Sequence, residues 1–234
     1  MNSKNILAVI PARSGSKSIK NKNLIKIKGK TLLSLAVSKA ISSKLFSKVI
    51  VSTDSKKYAN EAIKAGAEIL ELRPKKLSGS KTTLAMVLRD ILEKFNQKGL
   101  IYENIISIQP TSPFTEIKTL KKIVSIFFKN KATGVATISK ITDFHPLTAQ
   151  KINLNNKLSY LIKPKNYKIL FPRQNRPNSY KFTGAVYLRK SKNLLNYQGD
   201  GWALGSNPFG VVVSHKEATD INYKEDLHKL KFYK

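Results

Sequence analysis

The residues best suited to chemistry lie towards the two ends of the chain. After an apolar run, "IPARSGSKSIKNKN" (10–23) carries Arg13, Lys17, Lys20 and Lys22 among Ser14, Gly15 and Ser16. Backbone amides, hydroxyls and two or three cations in one loop suit a polyanion such as a triphosphate. The loop is not a Walker A motif. "GKT" (29–31) matches only its tail, and Leu24 stands where the first glycine belongs. It is not G-x-G-x-x-G either, because Gly15 stands alone. Lys20 reads as a surface charge and Lys22 less so. Arg13 does so least, being one of six arginines and placed at a strand end. Near the other end, "ATDINYKEDL" sets Asp220 and Asn222 two apart. On extended backbone such side chains share one face and could meet one cation. Mg2+ takes hard oxygens, commonly one or two carboxylates plus phosphate oxygens and water. The alternative is that Asn222 caps a helix beginning near Tyr223 while Asp220 is a turn residue.

The elements that must hold these loops follow from hydrophobic periodicity. "NILAVIP" (5–11) reads as a buried strand ended by proline, and "KVIVST" (48–53), "AEILEL" (67–72), "NIISIQP" (104–110) and "GVATISK" (134–140) as further strands. Helical spacing marks "TLLSLAVSKAISSK", "SKKYANEAIKAG" with Asp54 as candidate cap and Gly66 as stop, "TTLAMVLRDILEKF" and "IKTLKKIVSIFFKN". Strands alternating with helices predict an α/β fold, a three-layer and mostly parallel sheet. From 140 to 182 the pattern breaks, with several prolines and no clear helix, so this segment reads as an insertion. Regular pattern returns with "GAVYLRK", "FGVVVS" and a last amphipathic helix from about Tyr223. In such a sheet ligands collect at the carboxyl ends of the strands. The loop from Arg13 to Asn23, "STD" (52–54), "RP" (73–74) and "QPTSP" (109–113) all fall there.

Composition narrows the classes. Forty-three Lys+Arg against 14 Asp+Glu give a formal charge of +29, a first pointer to nucleic acid. The excess is nearly all lysine, which accompanies frequent asparagine and isoleucine as in A/T-rich coding. Arginine, the better reader of bases and phosphates, is scarce. A solvated lysine surface is the preferred reading, with no nucleic-acid partner. There is no cysteine, which excludes disulfides and thiolate catalysis. No apolar run reaches membrane-spanning length, so no membrane partner is expected and the cytoplasm is the expected compartment.

"ARSGSKSIKNKN", "STD", "LRP", "QPTSP", "HPL", "FPRQ", "GAVY" and "SHKEATDINYKEDL" occur in this order along almost the whole chain. Together they resemble the CMP-sialic acid synthetases, or acylneuraminate cytidylyltransferases, which are similar to CMP-Kdo synthetases. The resemblance implies one nucleotidyltransferase domain over 1–234, with 140–182 as an inserted dimerisation segment. It implies that CTP activates a nonulosonic acid sugar with release of pyrophosphate, in a homodimer that uses Mg2+. By the same resemblance Arg13, Ser16, Lys17, Lys22 and Asn23 form the phosphate and nucleotide loop, Arg13, Lys17, Lys22 and Asp220 being catalytic. Arg73 would contact nucleotide, Asp220 and Asn222 the metal, and Gln109, Arg173, Gln174 and Tyr187 the sugar. As residues alone, Arg73 equally suits a salt bridge or helix cap and Tyr187 the core, while a turn cap is the weaker reading of Gln109 given its neighbours. Asp54 reads as a support of the loop, and His145 and His215 as non-catalytic. The chain departs from the family pattern at Ser80, Thr115, Thr183 and Asn222, which bears on the sugar taken and on metal affinity. The competing expectations are a related transferase for a Kdo-like acid sugar, a catalytically impaired nucleotide-binding homologue and, as a minority reading of the charge, a basic nucleic-acid-binding protein.

Overall fold

The computed structural model describes residues 5–16, 18–163, 166, 168, 172–199 and 202–232. Strand β1 (Ile6–Pro11) alternates its side chains between two cores. Ile6, Ala8 and Ile10 face one and Leu7 and Val9 the other, all fully buried. A strand buried on both faces has no polar side, which is why the sequence shows an unbroken apolar run. The chain then passes through the basic loop to a 3-10 turn at Lys22–Leu24 and a small hairpin, β2 (Lys26–Ile27) and β3 (Lys30–Thr31). Helix α1 (Leu32–Ser42) follows, its first turn capped by the Thr31 side chain.

β4 (Lys48–Ser52), α2 (Lys56–Lys64), α3 (Leu84–Gln97), β5 (Asn104–Ile108), α4 (Ile117–Lys129) and β6 (Gly134–Lys140) continue the alternation. A separate hairpin, β7 (Gln150–Ile152) with β8 (Leu158–Tyr160), stands off the main sheet. β9 (Tyr180–Lys190), α5 (Ser191–Leu195), β10 (Pro208–Val212) and α6 (Leu227–Phe232) complete the chain. The main sheet has six strands in the order β10-β6-β9-β5-β1-β4. Helices α1, α2 and α4 pack on one face, α3 and α5 on the other, giving three layers.

The sheet is mostly parallel, as the sequence predicts: all its paired strands run parallel except β9, which is antiparallel to both β5 and β6. The structure corrects the sequence reading at three places. "AEILEL" is not a strand: Glu68 alone touches the sheet, through one bridge to Ile50. The irregular segment is shorter than 140–182, because Tyr180–Phe182 already belong to β9. Finally, Ser55 rather than Asp54 precedes α2, and its side chain makes no cap bond.

β9 has one feature that matters for the site. Its register against β6 shifts between Ala136 and Ile138, and across this bulge Gly184 takes φ +81°, a backbone that glycine adopts without steric cost.

Candidate active site

The carboxyl ends of β1 and β5, the start of the basic loop and the segment after β10 converge on a cavity of about 270 Å³. Arg13, Ser16, Lys22, Asn23, Gln109, Asp220 and Asn222 line it, together with Pro11, Thr111 and Gly184. Seven of the expected residues, far apart in sequence, are therefore brought together. Lys17 lies outside the described residues.

The basic loop is held by backbone and carboxylate contacts. Asp54, at the end of β4, accepts from the Ser14 amide at 2.7 Å and from Ser14 Oγ at 3.1 Å. That is the supporting role read from the sequence. Arg13 Nη1 donates to the Gly79 carbonyl at 3.1 Å. Asn23 is buried, and its Nδ2 reaches back to the Arg13 carbonyl at 3.4 Å. Across the cavity, Ile221 N donates to Thr111 O at 2.9 Å, tying the segment with Asp220 to the "QPTSP" turn. Gln109 N donates to Ala185 O at 2.9 Å, which extends the β5–β9 ladder to the cavity wall.

Asn222 links two charges. Its Nδ2 donates to Asp220 Oδ2 at 2.8 Å, and its Oδ1 accepts from Lys22 Nζ at 3.4 Å. A carboxylate on one side and an ammonium on the other leave only one sensible orientation of the amide. Asn222 does not cap the following helix. Asp226 does, accepting the amides of Asn222 and Tyr223 at 2.9 Å each. Partial burial opposes ionisation of Asp226, but Lys229 and these two amides outweigh it and bring its pKa down to about 2. Burial likewise lowers the pKa of Lys22, Asp220 pulling it back up and Arg13 pushing it further down.

Two buried oxygens at this site have no hydrogen-bond partner, Asp220 Oδ1 and Asn23 Oδ1. Buried polar atoms are rarely left so. A hard cation or a donor on a ligand suits both, so the donor set fits Mg2+. Among the described residues no group of three carboxylate or histidine side chains could enclose a metal. An ion here would draw its remaining ligands from phosphate and water. With Arg13 and Lys22 against Asp220, the wall is net positive.

The remaining expected residues lie elsewhere. Arg73 is buried beneath the end of β4, donating to Ser52 Oγ at 3.0 Å and to the Ser52 carbonyl at 2.6 Å. Burial lowers its pKa, with Asp54 raising it and Arg13 lowering it. It shares the field of the loop but does not line the cavity. Arg173 and Gln174 line a different hollow with Arg176, beside His145. His145 Nε2 meets the Pro177 carbonyl and Ser179 Oγ, a structural knot consistent with the non-catalytic reading. Tyr187 is buried on β9 with its ring stacked on Trp202.

Three residues were not singled out from the sequence. Glu217 is buried, and its Oε1 accepts from the Glu116 amide at 3.0 Å and Thr119 Oγ1 at 2.7 Å at the start of α4. Lys39 approaches from α1 and donates to the Pro113 carbonyl, and burial lowers its pKa against the pull of Glu217 and Glu116. Glu217 thus anchors the segment carrying Asp220 to the helix that follows the "QPTSP" turn. The third is Arg189, buried behind Tyr187.

Residues 7–200 match the family described as cytidylyltransferase. A CMP-N,N'-diacetyllegionaminic acid synthase of Legionella pneumophila is 33% identical over 192 residues, covering 81% of this chain and 80% of the relative. A pseudaminic acid cytidylyltransferase of Campylobacter jejuni is 30% identical over 221 residues, covering 94% and 92%. An N-acylneuraminate cytidylyltransferase of Escherichia coli is 30% identical over 231 residues, covering 95% of this chain and 50% of the relative. In fold, the chain resembles a CMP:2-keto-3-deoxy-manno-octonic acid synthetase solved with CTP, with a TM-score of 0.69, 16% identity and 97% of each chain covered. From the matched length, the relatives and the mostly parallel three-layer sheet, the chain is a nucleotidyltransferase of the cytidylyltransferase family.

Proposed function

We propose that this chain transfers the cytidylyl group of CTP to the anomeric hydroxyl of a nonulosonic acid sugar, releasing pyrophosphate. The observation that carries the reading is the cavity at the strand ends. Two cations, Arg13 and Lys22, face one carboxylate, Asp220, whose Oδ1 is buried and unpaired. The relatives named for legionaminic, pseudaminic and acylneuraminic acids support the acid-sugar class.

In the reaction the sugar oxygen bonds to the α-phosphorus while the bond to the bridging oxygen breaks. The hydroxyl proton leaves to solvent, and pyrophosphate departs with the electron pair. Such transfers depend on placing the reactants and stabilising charge on the phosphoryl oxygens. Arg13 and Lys22 supply that charge, and the Ser16 hydroxyl and Asn23 line the same wall. Gln109, at the end of β5, is positioned to meet the sugar where it enters the cavity. Mg2+ held by Asp220 and phosphate would neutralise further charge on the triphosphate. Asn222 would aim Asp220 rather than ligate strongly itself.

A homodimer is part of the reading. Ile152, Leu154, Leu158, Leu161 and Ile162 are exposed on and beside the β7–β8 hairpin, a patch that favours coverage by another surface. Ile169, Leu170 and Phe171 of the same segment lie outside the described residues. A second copy would cover the hairpin, and a stable monomer in sedimentation at micromolar concentration would refute this. The chain would work in the cytoplasm, where CTP is made; among the described residues no helix is long and apolar enough to cross a membrane.

The test of the activity is a panel of nonulosonic acids with CTP and Mg2+, read as pyrophosphate release and CMP-sugar formation. Release with at least one acid is expected. No release with any of them, in protein that is folded, would overturn the proposal.

A further inference from the structure

Asp220 supplies the carboxylate of the cavity, yet the segment around it belongs to no strand or α-helix. It runs between the end of β10 at Val212 and the 3-10 turn that begins at Lys224. Such a stretch has no ladder of its own to fix a side chain, so individual contacts must hold Asp220.

Two ties flank it. One residue after Asp220, Ile221 is fully buried among Ile19, Ile27, Leu32 and Leu230, and its amide donates to Thr111 O at 2.9 Å. Three residues before it stands Glu217, 6% exposed, whose Oε1 accepts from the Glu116 amide at 3.0 Å and from Thr119 Oγ1 at 2.7 Å. Between the ties the segment bonds to itself. Ala218 N donates to Ser214 O at 2.9 Å, Thr219 N to Lys216 O at 3.2 Å and Thr219 Oγ1 to His215 O at 3.2 Å. This compact turn leaves little slack between Glu217 and Asp220. Both ties end on one short stretch, Thr111 to Thr119, directly beyond Gln109.

The origin of the cap is informative. The first amides of α4 need acceptors. Glu116 holds the N-cap position, but its side chain makes no cap bond and pairs with Lys118 at 2.6 Å instead. A serine or aspartate there would cap the helix locally. The chain uses a carboxylate from 101 positions away. Burying that carboxylate is costly. Its two donors and the positive end of α4 offset the cost. So does Lys39, whose pKa burial lowers and Glu217 pulls back up. A local cap would serve the helix equally. Only a remote one also fixes the segment after β10.

We propose that Glu217 is a positioning residue for the metal site. By capping α4 it sets Asp220 against the turn between β5 and α4, so that the unpaired Oδ1 stands ready before nucleotide arrives. This rests on the reading above that Asp220 holds Mg2+. Glu217 itself touches neither metal nor substrate in this role. Groups behind a metal ligand act by orienting it.

Mn2+ held with CTP and no sugar acid, followed by water-proton relaxation, reads the site without turnover. Asp220→Ala gives the reference loss. Glu217→Ala removes the tie and is expected to weaken Mn2+ binding by about tenfold or more, as loss of a group that orients a metal ligand does. Glu217→Gln keeps the acceptor and gives up the charge, and is expected to hold Mn2+ as the unaltered protein does. Phe95→Leu, in the core on the other face of the sheet, lowers Tm without touching the segment and should leave Mn2+ binding unchanged. Each variant is titrated below its own Tm. If Glu217→Ala lowers Tm yet holds Mn2+ as before, Glu217 only caps α4 and the proposal is overturned. If Glu217→Gln weakens binding as much as Glu217→Ala, the carboxylate acts through its charge, and positioning is overturned likewise. If Asp220→Ala leaves Mn2+ binding unaltered, the metal reading fails and takes the proposal with it, a pattern distinct from the other two.

Discussion

The bridge made by Asn222 gives the sharpest test of the cavity. Asn222→Asp is nearly isosteric, so the cavity keeps its shape while a neutral amide becomes a carboxylate. The new group loses the 2.8 Å donation to Asp220 and faces a like charge instead. At about 4 Å and an effective dielectric constant of 20, two unit charges interact by about 4 kcal/mol. Lys22, 3.4 Å away on the other side, contributes an attraction of similar size. The variant should therefore fold without metal. A divalent cation then meets two carboxylates instead of one. Asn222 is exposed, so solvent screens the gain. If about a third of the 4 kcal/mol survives, affinity rises about tenfold. The Mg2+ concentration for half-maximal pyrophosphate release should fall by that factor, and Mn2+ binding followed by electron paramagnetic resonance should tighten in parallel. Asp220→Ala should nearly abolish both binding and turnover. If neither substitution alters Mg2+ dependence or Mn2+ binding, the metal is held elsewhere and the reasoning about this segment is wrong.

Other consequences are open to direct measurement. Arg13→Ala should reduce kcat/KM by about 10²-fold or more through loss of a charge-stabilising donor; near-normal turnover would exclude the loop as the phosphate site. Lys22 acts protonated, and burial lowers its pKa below the usual 10.5. Because kcat/KM reports the free protein, it should decline as pH rises through that lowered value, and Lys22→Arg should move the decline to higher pH; an unmoved alkaline limb would remove Lys22 from the chemistry. Glu217→Ala removes a buried acceptor for the Glu116 amide and the Thr119 hydroxyl, a loss of about 2 kcal/mol. It should lower Tm by about 4–8 °C for a chain of this size, and an unchanged Tm would show that the cap is dispensable.

What could be read in advance depended on the kind of signal. β1, β4, β5 and β6 were legible because strands buried on both faces leave apolar runs, and α1, α3 and α4 because one face of each is apolar. The reversed direction of β9 was not, since alternation of side chains is the same whichever way a strand runs. "AEILEL" carried strand-like alternation, yet its place at the sheet edge supports only the contact through Glu68. In the cavity, Arg13, Lys22, Asn23, Gln109 and Asp220 could be named because motif order located them. Glu217 and Arg189 could not be singled out. Arg189 stands beside Lys190 at the end of "GAVYLRK", and the pattern does not say which of the two turns inward. The burial of Glu217 is set by a helix start about a hundred positions away. Arg73 was left between two readings, and its bonds to Ser52 place it beneath β4.

The reversal of β9 also determines where the chain can grow. β6 ends and β9 begins at the same edge of the sheet, as direct neighbours with Lys140 opposite Tyr180. The connection from Lys140 to Tyr180 is therefore a hairpin in the topological sense, leaving and returning at the ligand-binding edge. A crossover between parallel strands must carry the chain back along the whole sheet, whereas a hairpin loop need only return to where it left. The entropy of closing such a loop rises only logarithmically with its length. Lengthening, trimming or exchanging this excursion therefore leaves strand order, and the residues that meet at the cavity, undisturbed. Diversification of this segment can proceed as a graft onto one stem.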